Sequence, residues 1–280
     1  MASNLSKIYR PITANPFSNN IMYTEISPCL ALAPYICCYW GTKENISTKE
    51  CCEVNSDLVI PDTCMDIIIN TNYTENYSNN IFCGIQDKCF TSTSQINLHK
   101  VSTFAIRFYA WSVILFADDN MCNSLNTIID VEAYFNNLKK ELEERISECK
   151  NIYERREIAE EILIKRINKK RENSVVMNAV YKMINTKGRT SIEEICEYSC
   201  ISDRQLQRLF KENIGTSPKR FEDLVRYQLL WNDIVNNRLN NIQDAVYEYG
   251  FSDQSHLINT FKKYHSLTPK NALIYANEHK

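Results

Sequence analysis

Residues Ile242–Pro269 read IQDAVYEYGFSDQSHLINTFKKYHSLTP. Ile242, Ala245, Val246 and Tyr249 recur at helical spacing, which predicts a short helix with one apolar stripe. Gly250 follows, where a turn takes a positive φ at no steric cost. Phe251 plugs that turn, and Ser252 stands where the N-cap of a second helix is expected. In the second helix Leu257, Phe261 and Tyr264 form the inward stripe. Gln254, Ser255, His256, Asn259 and Lys262 take the opposite face, a set of short polar donors with a basic residue toward the end. Two such helices joined by a tight turn define a helix-turn-helix, whose second helix enters a DNA major groove.

The pattern occurs a second time. Ser191–Pro218, SIEEICEYSCISDRQLQRLFKENIGTSP, aligns with Asn241–Pro269 after a one-residue slip at the start of the second helix. Ile192 answers to Ile242, Cys196 to Val246, Ile201 to Phe251, Leu206 to Leu257, Phe210 to Phe261 and Pro218 to Pro269. Ser191-x-x-Glu194 and Ser202-x-x-Gln205 both have the form of a capping box. The outward face of this unit carries Arg204, Gln205, Gln207, Arg208 and Lys211. An arginine there can hold guanine in a bidentate fork, whereas a lysine offers a point charge to phosphate. Lys219–Val235 reads as a helix joining two similar units.

LQRLFKENIGTSPKRF, RYQ, GFSDQSH and FKKYHSLTP follow one another in the order and spacing of a known signature. Over about a hundred residues the C-terminal region resembles the DNA-binding domain of the AraC/XylS family of bacterial transcription regulators. The resemblance implies two recognition helices in successive major grooves and double-stranded DNA as partner. It further implies a small-molecule effector, contact with RNA polymerase and a homodimer. Two positions depart from the family pattern: Leu230 replaces a small residue in the joining helix, and Asn259 stands where some relatives have arginine.

The remainder of the chain sets the bounds. At 280 residues it suits two domains, and 44% apolar residues are ample for cores. The net charge of −2 excludes a wholly basic nucleic-acid coat. Residues 1–122 carry net −4, while residues 123–171 and 172–280 carry +1 each, so a DNA-binding face must come from the placement of a few cations. A polar N-terminus without a signal peptide, and no apolar run of membrane-spanning length, lead to the expectation of a cytoplasmic protein. Twelve cysteines then read as reduced thiols.

Residues 1–122 read as β-rich. Tyr35–Trp40, Leu58–Ile60, Met65–Ile69, Ile81–Cys83 and Thr103–Tyr109 are short β-branched and aromatic runs separated by turn residues. They predict a small antiparallel barrel or sandwich. The expected class is therefore α+β: a β-rich sensor domain over 1–122, a helical linker or dimerisation region over 123–171, and an all-α double helix-turn-helix domain over 172–280. PDTCMDIII (61–69) and FAIRFYAWSV (104–113) are similar to sensor-domain strands of one AraC-type subgroup, which names no ligand.

In the linker Val131, Tyr134, Phe135, Leu138, Leu142 and Ile146, then Ile158, Ile162, Leu163 and Ile167, keep helical stripes that suit a dimer surface or a domain's closing helices equally. Lys169–Arg171 reads as solvated linker, with the next helix starting near Ser174.

Asp62, Asp66 and Arg107 are candidate polar anchors for an effector, with Trp40, Tyr109 and Trp111 as apolar walls. Turn chemistry and plain core packing explain the same residues equally well. Vicinal Cys37-Cys38 and Cys51-Cys52 raise a cysteine-based sensor of metal, electrophile or alkylation, and control by a partner protein is a third reading. Neighbours on a strand are expected to face opposite sides, and no Cys-x-x-Cys pair exists. The sequence holds no phosphate loop, HExxH or nucleophile elbow. No catalytic residue, metal or cofactor is assigned.

Overall fold

The computed structural model describes residues 2–16, 23–44, 46–47, 55–94, 100–239 and 241–278. Cys51-Cys52, His99 and His279 lie outside the described residues. The N-terminal half runs α1 (Ala2–Ile8), β1 (Tyr23–Ile26), β2 (Ile36–Thr42), β3 (Ile46–Ser47), β4 (Asn55–Val59), β5 (Cys64–Asn72), β6 (Tyr77–Cys83), β7 (Phe90–Ser94), β8 (Lys100–Tyr109) and β9 (Ile128–Asp130). Every one of the predicted apolar runs lies in or beside a strand.

The strands form one antiparallel sheet in the order β1-β2-β8-β5-β6-β9, with β3 also on β8, and a separate pair β4-β7. Among the described residues the strands do not close into a barrel but stay open and sandwich-like, as the second of the two expected forms; the order ends at β1 and β9, edge strands of four and three residues. Edges this short expose little unpaired backbone, and a helix rather than a second sheet covers the apolar face. That helix is α2 (Glu132–Ile146). Its Phe135 meets Phe82 at 5.1 Å and Phe108 at 6.4 Å between ring centroids. α3 (Ile152–Arg166) follows, N-capped by Asn151.

Strand register divides the sheet cleanly. Asp66 pairs with both Arg107 and Cys83, Cys38 pairs with Arg107, and Cys64 pairs with Tyr109. Residues two apart share a face, so Trp40, Cys38, Arg107, Tyr109, Asp66 and Cys64 all lie on the side away from α2. Met65, Ile67, Phe82, Ile106 and Phe108 lie on the other, each 1% exposed or less.

Lys169–Arg171 forms a short 3₁₀ turn. It is not simply solvated linker: Arg171 donates to the Ala117 and Asp119 carbonyl oxygens, fixing the chain to the N-terminal half. Then come α4 (Ser174–Asn185), α5 (Ile192–Ser199), α6 (Asp203–Ile214), α7 (Pro218–Val235), α8 (Ile242–Glu248), α9 (Gln254–His265) and α10 (Pro269–Glu278). α4 begins where expected, capped by Asn173. Leu230 is buried in the α7 core, so its extra bulk is accommodated there.

The two halves share one continuous apolar cluster from Leu5 to Ala276. Gln228, 1% exposed on α7, joins them: it accepts from the Ile12 N–H at 2.9 Å and donates to the Pro61 carbonyl at 2.8 Å. Trp231 donates its indole N–H to the Thr13 carbonyl at 3.0 Å. Arg220 pairs with Asp87 at 3.4 Å, and Cys89 meets Ser266 at 2.6 Å.

Candidate DNA-binding face and the polar face of the sheet

Both helix-turn-helix units form as the repeat predicts. In the first, both capping boxes close: Ser191 with Glu194, and Ser202 with Gln205. α5 ends on Cys200 with φ 54°, the position taken by Gly250 (φ 62°) after α8. The Ile201 and Phe251 N–H groups bond back to Cys196 and Val246, so the two turns leave their helices alike. The expected cap of α9 needs correction. Asp253, not Ser252, is the N-cap, its carboxylate accepting from the His256 N–H at 2.8 Å. Asp253 is the extra residue of the second unit: it lengthens the turn by one and delays α9, which is the slip seen in the alignment. Ser252 instead bonds Asp253 and the His256 ring.

Leu206 and Phe210 on α6, and Leu257 and Phe261 on α9, are buried at 1% exposure or less. Opposite them Arg204, Gln205, Arg208 and Lys211 on α6 are exposed, as are Gln254, Ser255, His256, Asn259 and Lys262 on α9; Gln207 is half-buried. Several of these have local partners. The Gln205 carbonyl is held by its capping box, and Gln207 donates to Asp203 at 3.2 Å. Gln254 donates to Gln243 at 3.1 Å, tying α9 to α8. The His256 ring stands edge-on to Phe251 at 5.4 Å and bonds Ser252, a turn-stabilising placement. Arg208 pairs with Glu212 at 3.3 Å in an exposed i,i+4 contact, weak enough to yield to a base or phosphate. Arg204, Lys262 and Asn259 project from exposed positions.

Sequence reasoning missed the residues that hold the units together. Arg226 of α7 lies over the Phe251 ring at 3.9 Å. Lys187 bridges Asp233 and Glu248, and Tyr249 donates to Asp233 at 2.7 Å. These cross-links join elements far apart in the chain, so no local pattern announces them. His265 is fully buried at the end of α9. Its Nδ1 lies 2.8 Å from the Tyr227 hydroxyl, and burial lowers its pKa to about 4.

On the sheet, Asp62, Asp66, Arg107 and Trp40 do converge. Arg107 Nε donates to Asp66 at 3.0 Å, its Nη1 stands 3.8 Å from Asp62, and the Trp40 indole donates to Asp66 at 2.8 Å. Asp62 also accepts from the Cys64 N–H at 2.8 Å. Burial raises its pKa to about 6, partly offset by Arg107. Tyr109 and Trp111 stack at 4.6 Å and are buried. The Trp111 Nε1 is a buried donor without an acceptor. On the opposite face Ile67, Ile69, Asn80, Val131, Lys139 and Leu142 line a depression too tight to admit a water molecule.

The cysteines depart from expectation. The pairing of β2 with β8 slips between Ile36 and Cys38, a β-bulge in which two residues oppose one. Cys37 and Cys38 therefore do not alternate as neighbours on a regular strand do. The thiols of Cys38 and Cys64 and the Tyr109 hydroxyl are electrostatically linked to the Cys37 thiol. Those two thiols, then Arg107 and Arg10, hold its pKa well below the ordinary value despite burial. Cys64 is pushed up, by burial first and then by Cys37. Among the described residues no cluster of three or more His, Cys, Asp or Glu suits a metal ion.

Residues 195–273 match the model of a helix-turn-helix domain, and residues 24–130 match a domain of unknown function, DUF6597. Among solved structures, a transcriptional regulator with an AraC-type DNA-binding domain from Chromobacterium violaceum is 24% identical. That match covers 38% of this chain and 96% of the other, with a TM-score of 0.35. ToxT from Vibrio cholerae is 12% identical over 84% of this chain and 98% of its own, with a TM-score of 0.41. Unsaturated fatty acid-bound ToxT is 9% identical over 84% and 95%, with a TM-score of 0.40. No curated protein matches the chain. The C-terminal half carries a helix-turn-helix domain. No helix among the described residues is long and apolar enough to cross a membrane.

Proposed function

We infer that the protein is a cytoplasmic regulator that reads two successive major-groove segments through α6 and α9, under the control of a small molecule bound by the N-terminal half. No catalytic step belongs to this reading. The observation that carries it is the pair of helices, each capped, buried along one stripe and exposed along the other with Arg204, Arg208 and Lys211 on α6 and Asn259 and Lys262 on α9. Cations position the protein on phosphate, while Arg208 and Asn259 have the geometry to read guanine and adenine edges. The reading includes a homodimer and contact with RNA polymerase, as the resemblance implies.

For the effector, the polar face of the sheet is the favoured place. Arg107, Asp62, Asp66 and Trp40 supply charge and hydrogen bonds, and the Trp111 indole is a buried donor with no acceptor, an arrangement that a bound acceptor would satisfy. Tyr109 gives the apolar wall.

Footprinting on DNA upstream of the protein's own gene tests the first part. Two protected major-groove segments are expected on one face, about 34 Å apart. Arg208→Ala should flatten base preference in one segment and Asn259→Ala in the other, each by about 1–3 kcal/mol. A single protected segment, or two variants with sequence-independent losses, overturns the reading. A thermal-shift screen of the intact protein tests the effector: Trp111→Phe should abolish a ligand's shift without lowering the unliganded melt by a comparable amount.

A further inference from the structure

Two loops of the N-terminal half reach the far ends of both recognition helices, and they do so at equivalent places. The offset that carries Phe210 onto Phe261 and Pro218 onto Pro269 also carries Gly215 onto Ser266. Each of these follows its helix in the left-handed region, Gly215 with φ 83° and Ser266 with φ 63°. Gly215 is backed by residues 121–127, which lead into β9. A side chain there would overlap the Ser124 hydroxyl and the Met121 carbonyl oxygen. Met121 also donates its N–H to the Glu212 carbonyl at 2.8 Å, one of those that the last turn of a helix leaves without an internal partner. Ser266 meets Cys89 at 2.6 Å, at the end of residues 84–89, which join β6 to β7.

The two loops are stitched into one unit. Asn126 Nδ2 donates to Asp87 Oδ1 at 2.8 Å, and the Asp87 N–H donates to Asn126 Oδ1 at 2.9 Å. The Asn126 N–H reaches the Ile85 carbonyl at 2.8 Å, and the Gly84 N–H reaches the Thr127 carbonyl at 3.0 Å. Gly84 has no positive φ to require glycine. A Cβ at this position would strike the Ser124 carbonyl oxygen, so the close passage of the second loop leaves room for glycine alone. Met121 and Ser124 are both 0% exposed, which makes the contact with α6 a packed joint. The pair of Asp87 with Arg220, whose side chain is more than half exposed, adds a weak third tie, to α7.

We propose that residues 84–89 and 121–127 form a yoke that fixes the separation of α6 and α9, and with it the half-site spacing that the protein accepts. A joint at one helix alone would leave the other free to pivot about α7. Two joints at the same position of each unit, cross-stitched through Asn126 and Asp87, hold the pair together. The yoke begins where β6 ends. Cys83, paired in register with Asp66, immediately precedes Gly84. Gln86 Nε2 bonds both the Cys83 sulfur, at 3.6 Å, and the Thr127 carbonyl, at 3.3 Å. A change at the Asp66–Arg107 pair therefore reaches the yoke through one residue of strand. The inference rests on the reading of α6 and α9 as the DNA-reading helices, and its first test needs no DNA.

Spin labels carried on p-acetylphenylalanine at the exposed positions 204 and 259 leave the cysteines untouched. Double electron–electron resonance on the full chain then reads the distance between α6 and α9, and one narrow distance is expected. Gly84→Ala forces the second loop away. Asn126→Gly removes the stitch while keeping the left-handed backbone of that position, φ 54°. Each variant should broaden the distance distribution and speed hydrogen exchange at the Met121 amide by about tenfold or more. Circular dichroism confirms folding; if one variant does not fold, the other carries the comparison. A broad distribution in the parent protein overturns the proposal. So does a parent-like width in a variant whose Met121 amide is released, or a Met121 amide that neither variant exposes. DNA then reads the consequence, with duplexes selected by the parent from a random library. One base pair inserted between the two protected segments shifts one by about 3.4 Å and turns it by about 35°. The insertion should cost the parent about tenfold or more in affinity and the variants clearly less; equal losses overturn the spacing role. A parent that selects no duplex overturns the DNA-binding reading instead and leaves the distance result standing.

Discussion

Replacing His265 with phenylalanine should flatten the acid sensitivity of the protein. The imidazole is fully buried, stacked on Phe261 at 5.0 Å and edge-on to Trp231 at 4.7 Å. Its pKa falls from 6.5 to about 4 because burial disfavours the charged ring. Between those two values the unfolded chain binds a proton that the folded one refuses. Stability from this group is therefore undiminished above pH 6.5 and is lost as pH falls toward 4. A gap of about 2.5 units corresponds to about 3 kcal/mol. His265→Phe keeps the ring contacts and cannot titrate, though it leaves the Tyr227 hydroxyl unpaired at a pH-independent cost of about 1–3 kcal/mol. Urea unfolding followed by circular dichroism at pH 7 and pH 4 reads both effects. The wild type should lose about 3 kcal/mol more than the variant between the two pH values, since every other titrating group cancels in the comparison. Equal acid losses would refute a neutral buried His265.

Asp62→Asn tests the opposite sign at the other end of the molecule. The folded state holds the Asp62 proton up to about pH 6 while the unfolded chain releases it near 4, so the wild type should lose about 2 kcal/mol as pH rises from 4 to 7, and the asparagine variant should not; parallel denaturation curves would count against the raised pKa. Gln228→Leu leaves the Ile12 N–H and the Pro61 carbonyl without partners and should cost about 1–3 kcal/mol for each, measured by chemical denaturation at pH 7. Asp253→Ala should destabilise by about 1 kcal/mol through loss of the α9 cap, with Ser252→Ala costing less; the reverse order would return the cap to Ser252.

The C-terminal half was legible because its signals are local. Caps, turns and apolar stripes lie within one or two helical turns of one another, and a repeat shows them twice. The single error, the α9 cap, came from aligning Ser252 with Ser202, when the inserted Asp253 offers a carboxylate one residue later. The strands were legible as apolar runs and their open, sandwich-like class with them, but the order in which they pair was not. Whether a sheet closes depends on what covers it, and the cover, α2, lies beyond the last of the predicted strands. The polar set Asp62, Asp66, Arg107 and Trp40 could be named because aspartate and arginine are rare in β-rich runs. Its geometry depends on Asp66 and Arg107 being paired across β5 and β8, a register that no local pattern prints. The cysteines show the same limit from the other side. Alternation along a strand is a sound rule, and the bulge at Cys37 suspends it.

Gln228 shows why signal and DNA reading can share one scaffold. A side-chain amide offers one acceptor and two donors. Here the acceptor takes the arm through Ile12 and a donor takes the sheet through Pro61. The residue sits on α7, the helix that joins the two DNA-reading units, one turn before Trp231, whose indole holds Thr13. On the proposed reading, a ligand that moves the Pro61–Cys64 stretch acts first on α7, before it reaches α6 or α9. The recognition faces are exposed while these contacts are in place, so the N-terminal half does not act by covering them. What it can change is the freedom of α7, and with it the spacing of two helices that must enter successive grooves together. A regulator built this way would change its preference for half-site spacing more than its affinity for either half-site alone.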